Sequence, residues 1–267
     1  MSEANVAEMI VNDGIATITM TRPKQRNAFT QELQNCLSAM VSDISSRSDI
    51  DAVILTGSGG SFSGGGDIKG MLKNQPKEGE PGADYRKRIY AINDWIQRLR
   101  NLEVPVIAAV DGAAYGGGFS MALCADFILC SPKARFCSVF CRIGAVPDCG
   151  IMYVLPRMIG MQRAKEIMYT GRPIAADEAK EIGIAFEIHS VDELQEAALT
   201  LAKRLQLASS KAFALTKRIT NQSLDMDAAS VLEMEASAQE ICFNTDYNKD
   251  AVARFTRKEP LLYNWEK

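Results

Sequence analysis

Histidine is almost absent from this 267-residue sequence, His189 being the single one. One imidazole cannot build the histidine-rich ligand sets of zinc or non-haem iron. At the end of the apolar stretch Ile184 to Ser190, His189 reads as a solvated strand residue rather than a ligand or base. No metal is expected. The seven cysteines, at 36, 124, 130, 137, 141, 149 and 242, form no C-x-x-C pair and lie mostly inside apolar runs. They read as reduced core residues of a cytosolic protein, which argues against a disulfide frame. No apolar run reaches the length that a bilayer requires, and MSEANVAEM is not a basic segment followed by an apolar stretch. Neither a membrane span nor a signal peptide is expected, and the expected location is cytoplasmic. Positive charge is not in excess either: 30 Lys and Arg stand against 33 Asp and Glu, a net charge of −3. That balance argues against binding to nucleic acid or to an anionic membrane.

What is present is apolar content, 47% of residues, enough for one large core or a core with an appendage. The chain centres on Ile107 to Asp126, IAAVDGAAYGGGFSMALCAD. The apolar run Val104 to Val110 predicts a buried strand. Gly116, Gly117 and Gly118 then form a turn in which bare N–H groups are accessible. The unbroken apolar run from Phe119 through Cys124 predicts a buried helix whose first N–H groups lack intrahelical acceptors. Such a terminus favours negative charge and suits a carbonyl oxygen that becomes an oxyanion. Three glycines equally allow a helix to pack tightly on a strand, and the glycines alone do not separate these readings.

In chain order, Ala7 to Val11 and Ile15 to Met20 flank Asn12-Asp13-Gly14 and predict a hairpin. Thr21 to Ala28 is a basic, proline-containing loop. Thr30 is a candidate N-cap for a helix in which Leu33, Leu37, Met40, Val41 and Ile44 recur at helical spacing. Asp51 to Thr56 predicts a strand that runs into a second glycine-rich turn, Gly57 to Gly66, and a helix start at Asp67-Ile68-Lys69. Strand, glycine turn and helix therefore occur twice, and two such units can aim two backbone donors at one oxygen. Lys73 to Asp84 reads as a surface loop and Tyr85 to Leu102 as an amphipathic helix. Short strands are expected at Asp126 to Cys130, Ala134 to Ser138 and Ile184 to Ile188, and helices at Ile151 to Ile159, Gln162 to Thr170 and Ala175 to Ile182. From Val191 onward the periodicity is helical, as in an appendage that carries subunit contacts.

Several motifs in order make nearly the whole chain resemble the crotonase, or enoyl-CoA hydratase/isomerase, superfamily. They are R-P-x-x-x-N-A at Arg22 to Ala28, Phe62 to Ile68, the PVIAAVDGAAYGGG run, Cys124-Ala125-Asp126, Gly144 to Pro147 and Leu155-Pro156-Arg157. The resemblance implies an α/β fold with a ββα spiral core over residues 1–200 and a C-terminal helical trimerisation region over 201–267. It implies an acyl-CoA thioester as substrate, no separate cofactor, and a homotrimer or dimer of trimers. It also implies that the N–H groups of Gly66 and Gly117 bind the thioester carbonyl. By the same resemblance, Lys24 and Ala28 line the CoA nucleotide and Arg257 or Lys258 reaches a phosphate. Gly64, Asp67, Ile68, Ser120, Phe140 and Cys149 would line the remainder of the site.

One departure from the family pattern decides the expected chemistry. Hydratases of this family hold water between two glutamates, and here those positions are Ser120 and Phe140. A serine has no useful proton affinity near neutral pH, and a phenyl ring expels water. Asp148, in Pro147-Asp148-Cys149-Gly150, occupies the position at which the isomerase branches of the family carry an acidic base. The expected neighbours Phe140, Val146, Met152 and Tyr153 are apolar and would raise its pKa. A Pro-Asp turn before a helix is also a common cap, so Asp148 is either base or cap for Ile151 to Ile159. The leading expectation is an acyl-CoA isomerase with Asp148 as its one base. Alternatives are a hydratase, dehydratase or thioester hydrolase on an unusual acyl group, or a catalytically silent CoA-ester binder.

Overall fold

The computed structural model describes residues 5–73 and 85–265; the surface loop expected up to Asp84 falls on 74–84, outside them. Strands β1 (Ala7–Asn12) and β2 (Ile15–Met20) pair antiparallel across Asp13-Gly14. Both turn residues have positive φ, 49° and 77°, the pairing of a tight hairpin whose twist matches its strands. Helix α1 (Gln31–Ser46) starts where Thr30 Oγ1 accepts from Leu33 N–H at 3.2 Å. Leu33, Leu37, Val41 and Ile44 form its buried stripe, with Met40 half-buried beside them.

Strand β3 (Ala52–Gly57), helices α2 (Ile68–Lys73) and α3 (Tyr85–Arg100), and strand β4 (Val106–Val110) follow. Then come β5 (Ala113–Tyr115), α4 (Gly117–Ala122), β6 (Phe127–Cys130) and β7 (Arg135–Cys137). After a 3-10 turn at Val139–Ile143 the chain forms α5 (Ile151–Ile159), α6 (Met161–Thr170), β8 (Pro173–Ala175), α7 (Ala176–Glu181) and β9 (Glu187–Ile188). Helices α8 (Leu194–Gln206), α9 (Ser210–Gln222), α10 (Ala228–Phe243) and α11 (Asp246–Arg257) complete it.

Among the described residues one sheet has the order β1-β2-β3-β4-β6-β9, parallel after the hairpin, and a second has the order β5-β7-β8. Two passes of the spiral give a strand to the large sheet and then one to the small sheet, β4 with β5 and β6 with β7, and after β3 an isolated bridge from Ser63 to Ala114 takes that place. Alternation explains why the central strands read as unbroken apolar runs. Val53, Leu55, Val106, Ala108 and Ile128 face the main core, whereas Ala52, Ile54, Ile107, Ala109 and Leu129 face Leu194, Ala198, Leu201 and Leu205 of α8. Both faces of the sheet are covered, as parallel sheets require. Helix α8 runs through residue 200 and belongs to this second core.

The structure corrects several local expectations. The central helix stops at Ala122, because Asp126 N–H must donate to Val106 O at 2.8 Å to start β6 beside β4. The strand expected over Ile184 to Ile188 is only Glu187–Ile188, since Ile184 and Ala185 N–H both donate to Ala179 O and so continue the turn after α7. Strands β5 and β8, three residues each, had no periodicity to reveal them. Cys141 is exposed and not a core residue.

Candidate active site

The glycine turn after β3 is shaped by a buried amide. Asn27 is fully buried, and its Nδ2 donates to Ser58 O at 3.1 Å and Ser61 O at 2.7 Å, while its Oδ1 accepts from Arg22 N–H at 2.9 Å. Ser63 Oγ donates to Asn27 O at 2.8 Å, and Gly64 N–H donates to Arg26 O at 2.6 Å. These bonds lock the R-P-x-x-x-N-A segment onto Gly57 to Gly66. Sequence reasoning saw the motif but not this role; the signal available is an asparagine, a residue type that tolerates the left-handed φ of 50° found here, in a loop between strand and helix.

The second unit is laid directly alongside. Ser63 N–H donates to Ala113 O at 2.8 Å and Tyr115 N–H donates to Ser63 O at 2.9 Å, so the segment before Gly66 runs parallel to the one before Gly117. Gly65, at φ 87°, is forced by this approach: a Cβ there would lie 2.5 Å from Tyr115 O. The bridge between Gly66 and Phe29 uses the neighbouring carbonyl, Phe29 N–H donating to Gly65 O at 2.8 Å, and no hydrogen bond among the described residues uses Gly66 N–H. Gly117 opens α4, whose first N–H groups have no intrahelical acceptor; the first bond of the helix runs from Ser120 N–H to Gly116 O. All of α4 is buried.

Asp148 comes to the same place on the turn before α5. Cys149, at φ 55°, is buried, and its Sγ lies 3.7 Å from the position of a Cβ on Gly117. Its thiol donates to Asp148 Oδ1 at 3.1 Å. Burial raises the Asp148 pKa above the ordinary carboxylate value, and the Cys149 hydrogen bond and the nearby charge of Arg88 on α3 oppose that rise. Burial and the adjacent carboxylate push the Cys149 thiol up, so it stays protonated and is a donor, not a nucleophile. The cap of α5 is Gly150 with no side-chain hydrogen bond, which overturns the capping alternative for Asp148. The expected apolar shell is also corrected: Phe140 is buried, its Cζ 3.8 Å from the position of a Cβ on Gly116, but Val146 and Met152 are 73% and 54% exposed. Val146 and Met152 therefore form no buried apolar shell.

Ser120 is buried on α4, and its Oγ donates to the backbone carbonyl of Asp148 at 3.0 Å. Asp67 Oδ1 accepts from Gly70 N–H at 3.0 Å and so caps α2, while Ile68 is 54% exposed. Gly64 is half-buried on the turn, Ala28 is half-buried beside Asn27, and Lys24 is exposed on the 3-10 turn Pro23–Gln25. Lys258 caps α11 at the exposed end of the chain, and Arg257 pairs with Glu259 at 2.7 Å. No hydrogen bond or ion pair among the described residues joins Lys24 or Lys258 to the group of Gly66, Gly117 and Asp148. His189 pairs with Glu187 at 3.0 Å on the far side of the sheet order from the hairpin.

One charged pair escaped sequence reasoning. Lys217 on α9 is buried and donates to Asp126 Oδ2 at 2.7 Å and to Val104 O at 3.0 Å; Asp126 also accepts from Val106 N–H at 2.8 Å. Burial raises Asp126 and lowers Lys217, and their mutual attraction opposes both shifts. The pair clasps α9 to the entrance of β4. Lys217 shares a helix face with buried Ala214, three residues earlier, and a lysine in that stripe is the sequence signal.

A spiral of strands that sets two glycine turns side by side beneath α4 defines the crotonase class of α/β enzymes. The family model for enoyl-CoA hydratase/isomerase matches residues 11–267, and the chain belongs to that family. It is 34% identical to the short-chain-enoyl-CoA hydratase of Clostridium acetobutylicum over 92% of this chain and 93% of that protein. It is 29% identical to the 1,2-epoxyphenylacetyl-CoA isomerase of Escherichia coli over 94% and 95%. The crystal structure of an enoyl-CoA hydratase/isomerase from Cupriavidus metallidurans superposes with a TM-score of 0.91 at 35% identity, covering 99% of this chain and 98% of that one.

Proposed function

We propose that this protein is an acyl-CoA isomerase that shifts the double bond of an unsaturated acyl-CoA thioester from the 3-enoyl to the 2-enoyl position. The observation that carries this reading is a single desolvated carboxylate, Asp148, whose turn is docked on Gly117, while Ser120 is committed to a backbone carbonyl and Phe140 is a buried ring beside Gly116. The Gly66 and Gly117 N–H groups polarise the thioester carbonyl, each donor contributing on the order of 3 kcal/mol where negative charge develops. Asp148 removes a proton from C2, and the electron pair delocalises through the carbonyl and the adjacent double bond as a dienolate. The same carboxyl returns the proton at C4, leaving the double bond between C2 and C3. One carboxylate suffices, and the Phe140 ring disfavours a competing water. Coenzyme A enters as part of the substrate, and no separate cofactor is required.

A hydratase or dehydratase, with Asp148 alone activating water, is the second reading, favoured by the names of relatives such as the Clostridium protein. The reading also extends to assembly. Among the described residues α10 and α11 bury no side chain, and Leu232, Phe243, Val252 and Phe255 are exposed on them. We propose that residues 201–267 carry the contacts of a homotrimer or dimer of trimers of this cytoplasmic enzyme, with Lys258 of that region near CoA phosphate.

The test is incubation of the protein and of Asp148→Asn with a 3-enoyl-CoA in deuterated water, followed by NMR and mass spectrometry. Double-bond migration that the substitution abolishes is the expected result. Clean water addition without migration would replace the isomerase by the hydratase reading. Thioester binding without turnover or label exchange would leave a silent binder.

A further inference from the structure

We infer that Ser120 is a positioning residue, which ties the turn carrying Asp148 to the helix carrying the Gly117 N–H and so sets the distance between base and thioester; this rests on the reading of Asp148 as the base. Three observations converge on it. Ser120 is 1% exposed, so its hydroxyl is not shared with bulk water. Its one proton has two acceptors in reach, Asp148 O at 3.0 Å and Gly116 O at 3.3 Å, and the shorter bond links segments 28 residues apart. The Asp148 carbonyl has a poor alternative, since Ile151 N–H reaches it only at 3.4 Å.

The turn's own backbone holds it only weakly, through that 3.4 Å bond, and at a conformational cost. Cys149 sits at φ 55°, a conformation that a non-glycine residue adopts at a cost, and Gly150 follows at φ 81°. Within the turn the Asp148 carbonyl has only the 3.4 Å bond from Ile151 N–H, so a shorter bond from outside the turn adds to its hold. Ser120 supplies that bond from the first turn of α4, three residues beyond Gly117. The Cys149 thiol, packed against Gly117 and donating to Asp148 Oδ1, holds the side chain of the same aspartate. Backbone and carboxylate of Asp148 are thus each held by one short side chain, and both holds refer to the helix that carries the thioester donor. A serine here is short enough to turn back onto its neighbour's carbonyl.

The experiment compares wild type, Ser120→Ala, Asp148→Asn and the double variant Ser120→Ala/Asp148→Asn for isomerisation of a 3-enoyl-CoA, together with amide hydrogen exchange over residues 149–151. Loss of one buried hydrogen bond that positions a reacting group is expected to lower kcat about tenfold with KM changed less than about twofold. It should also speed exchange of the 149–151 amides about tenfold. In the Asp148→Asn background the same alanine should cost nothing further in rate. Full kcat in Ser120→Ala, or an equal loss in both backgrounds, would overturn the inference while leaving Asp148 as the base. If Asp148→Asn is as active as wild type the functional reading falls instead, and unchanged amide exchange in Ser120→Ala then overturns the positional tie independently of turnover.

Discussion

Gly65→Ala probes the junction on which the two donors depend. A Cβ at this position would lie 2.5 Å from Tyr115 O and 3.1 Å from Tyr115 C, where ordinary contact begins at 3.4 Å, so the two segments must part by about 0.9 Å. The bonds that hold them, Ser63 N–H to Ala113 O at 2.8 Å and Tyr115 N–H to Ser63 O at 2.9 Å, would then stretch beyond bonding distance. Two buried hydrogen bonds at about 1 kcal/mol each, plus about 1 kcal/mol for alanine at a φ of 87°, give roughly 3 kcal/mol of lost stability. For a chain of this size that is a fall in Tm of roughly 6–12 °C. The same displacement separates the Gly66 and Gly117 N–H groups, and in the proposed role of these groups a misplaced oxyanion donor lowers kcat by about a hundredfold. Calorimetry reads the first effect. The carbonyl stretch of a bound ¹³C-labelled acyl-CoA reads the second without requiring turnover, because polarisation by two donors lowers that frequency and loss of one raises it again. Wild-type Tm and an unchanged stretch in Gly65→Ala would refute the reasoning that this contact sets the donor pair.

Asp148 should show its desolvation in stability as well as in rate. A carboxyl whose folded pKa is raised contributes stability that is fully present below the ordinary value of 3.8 and is lost as pH rises through the raised one. Asp148→Asn, which cannot ionise, should therefore be more stable than wild type at pH 7, with the difference vanishing in melts below about pH 3.8; an equal or lower Tm at pH 7 would contradict the assignment. With Asp148 as the proposed base, the rate should fall as pH is lowered through the raised pKa, visible as the acid limb of the kcat profile. Asn27→Ala removes three hydrogen bonds of a fully buried amide and should cost about 3 kcal/mol by denaturant titration. Lys217→Met leaves Asp126 buried without its cation and should destabilise by about 3–5 kcal/mol at neutral pH. That loss should shrink at acid pH as Asp126 takes up a proton, which urea melts at two pH values would show.

The sequence by itself determined the hairpin at Asp13-Gly14, the Thr30 cap, the two strand–glycine–helix units and the helical C-terminal quarter. Each rests on local rules: period-two or period-3.6 patterning, a capping hydroxyl, or glycine where φ must be positive. It also put Asp148 forward and set Ser120 and Phe140 aside as acids or bases, since those statements need only residue chemistry at matched positions. Two of the short strands were not legible. Strands β5 and β8 span three residues each, fewer than two periods of alternation, and exist only because the spiral brings their edges together. Only the tertiary structure decided that Gly65 lies against Tyr115, that Asn27 organises the first glycine turn, and that Lys217 clasps Asp126 across 91 residues of chain. It also decided that Asp148 does not cap α5, since the cap of that helix is Gly150 with no side-chain hydrogen bond. The Asp148 carbonyl accepts from Ser120, 28 positions away, a separation at which sequence periodicity carries no information.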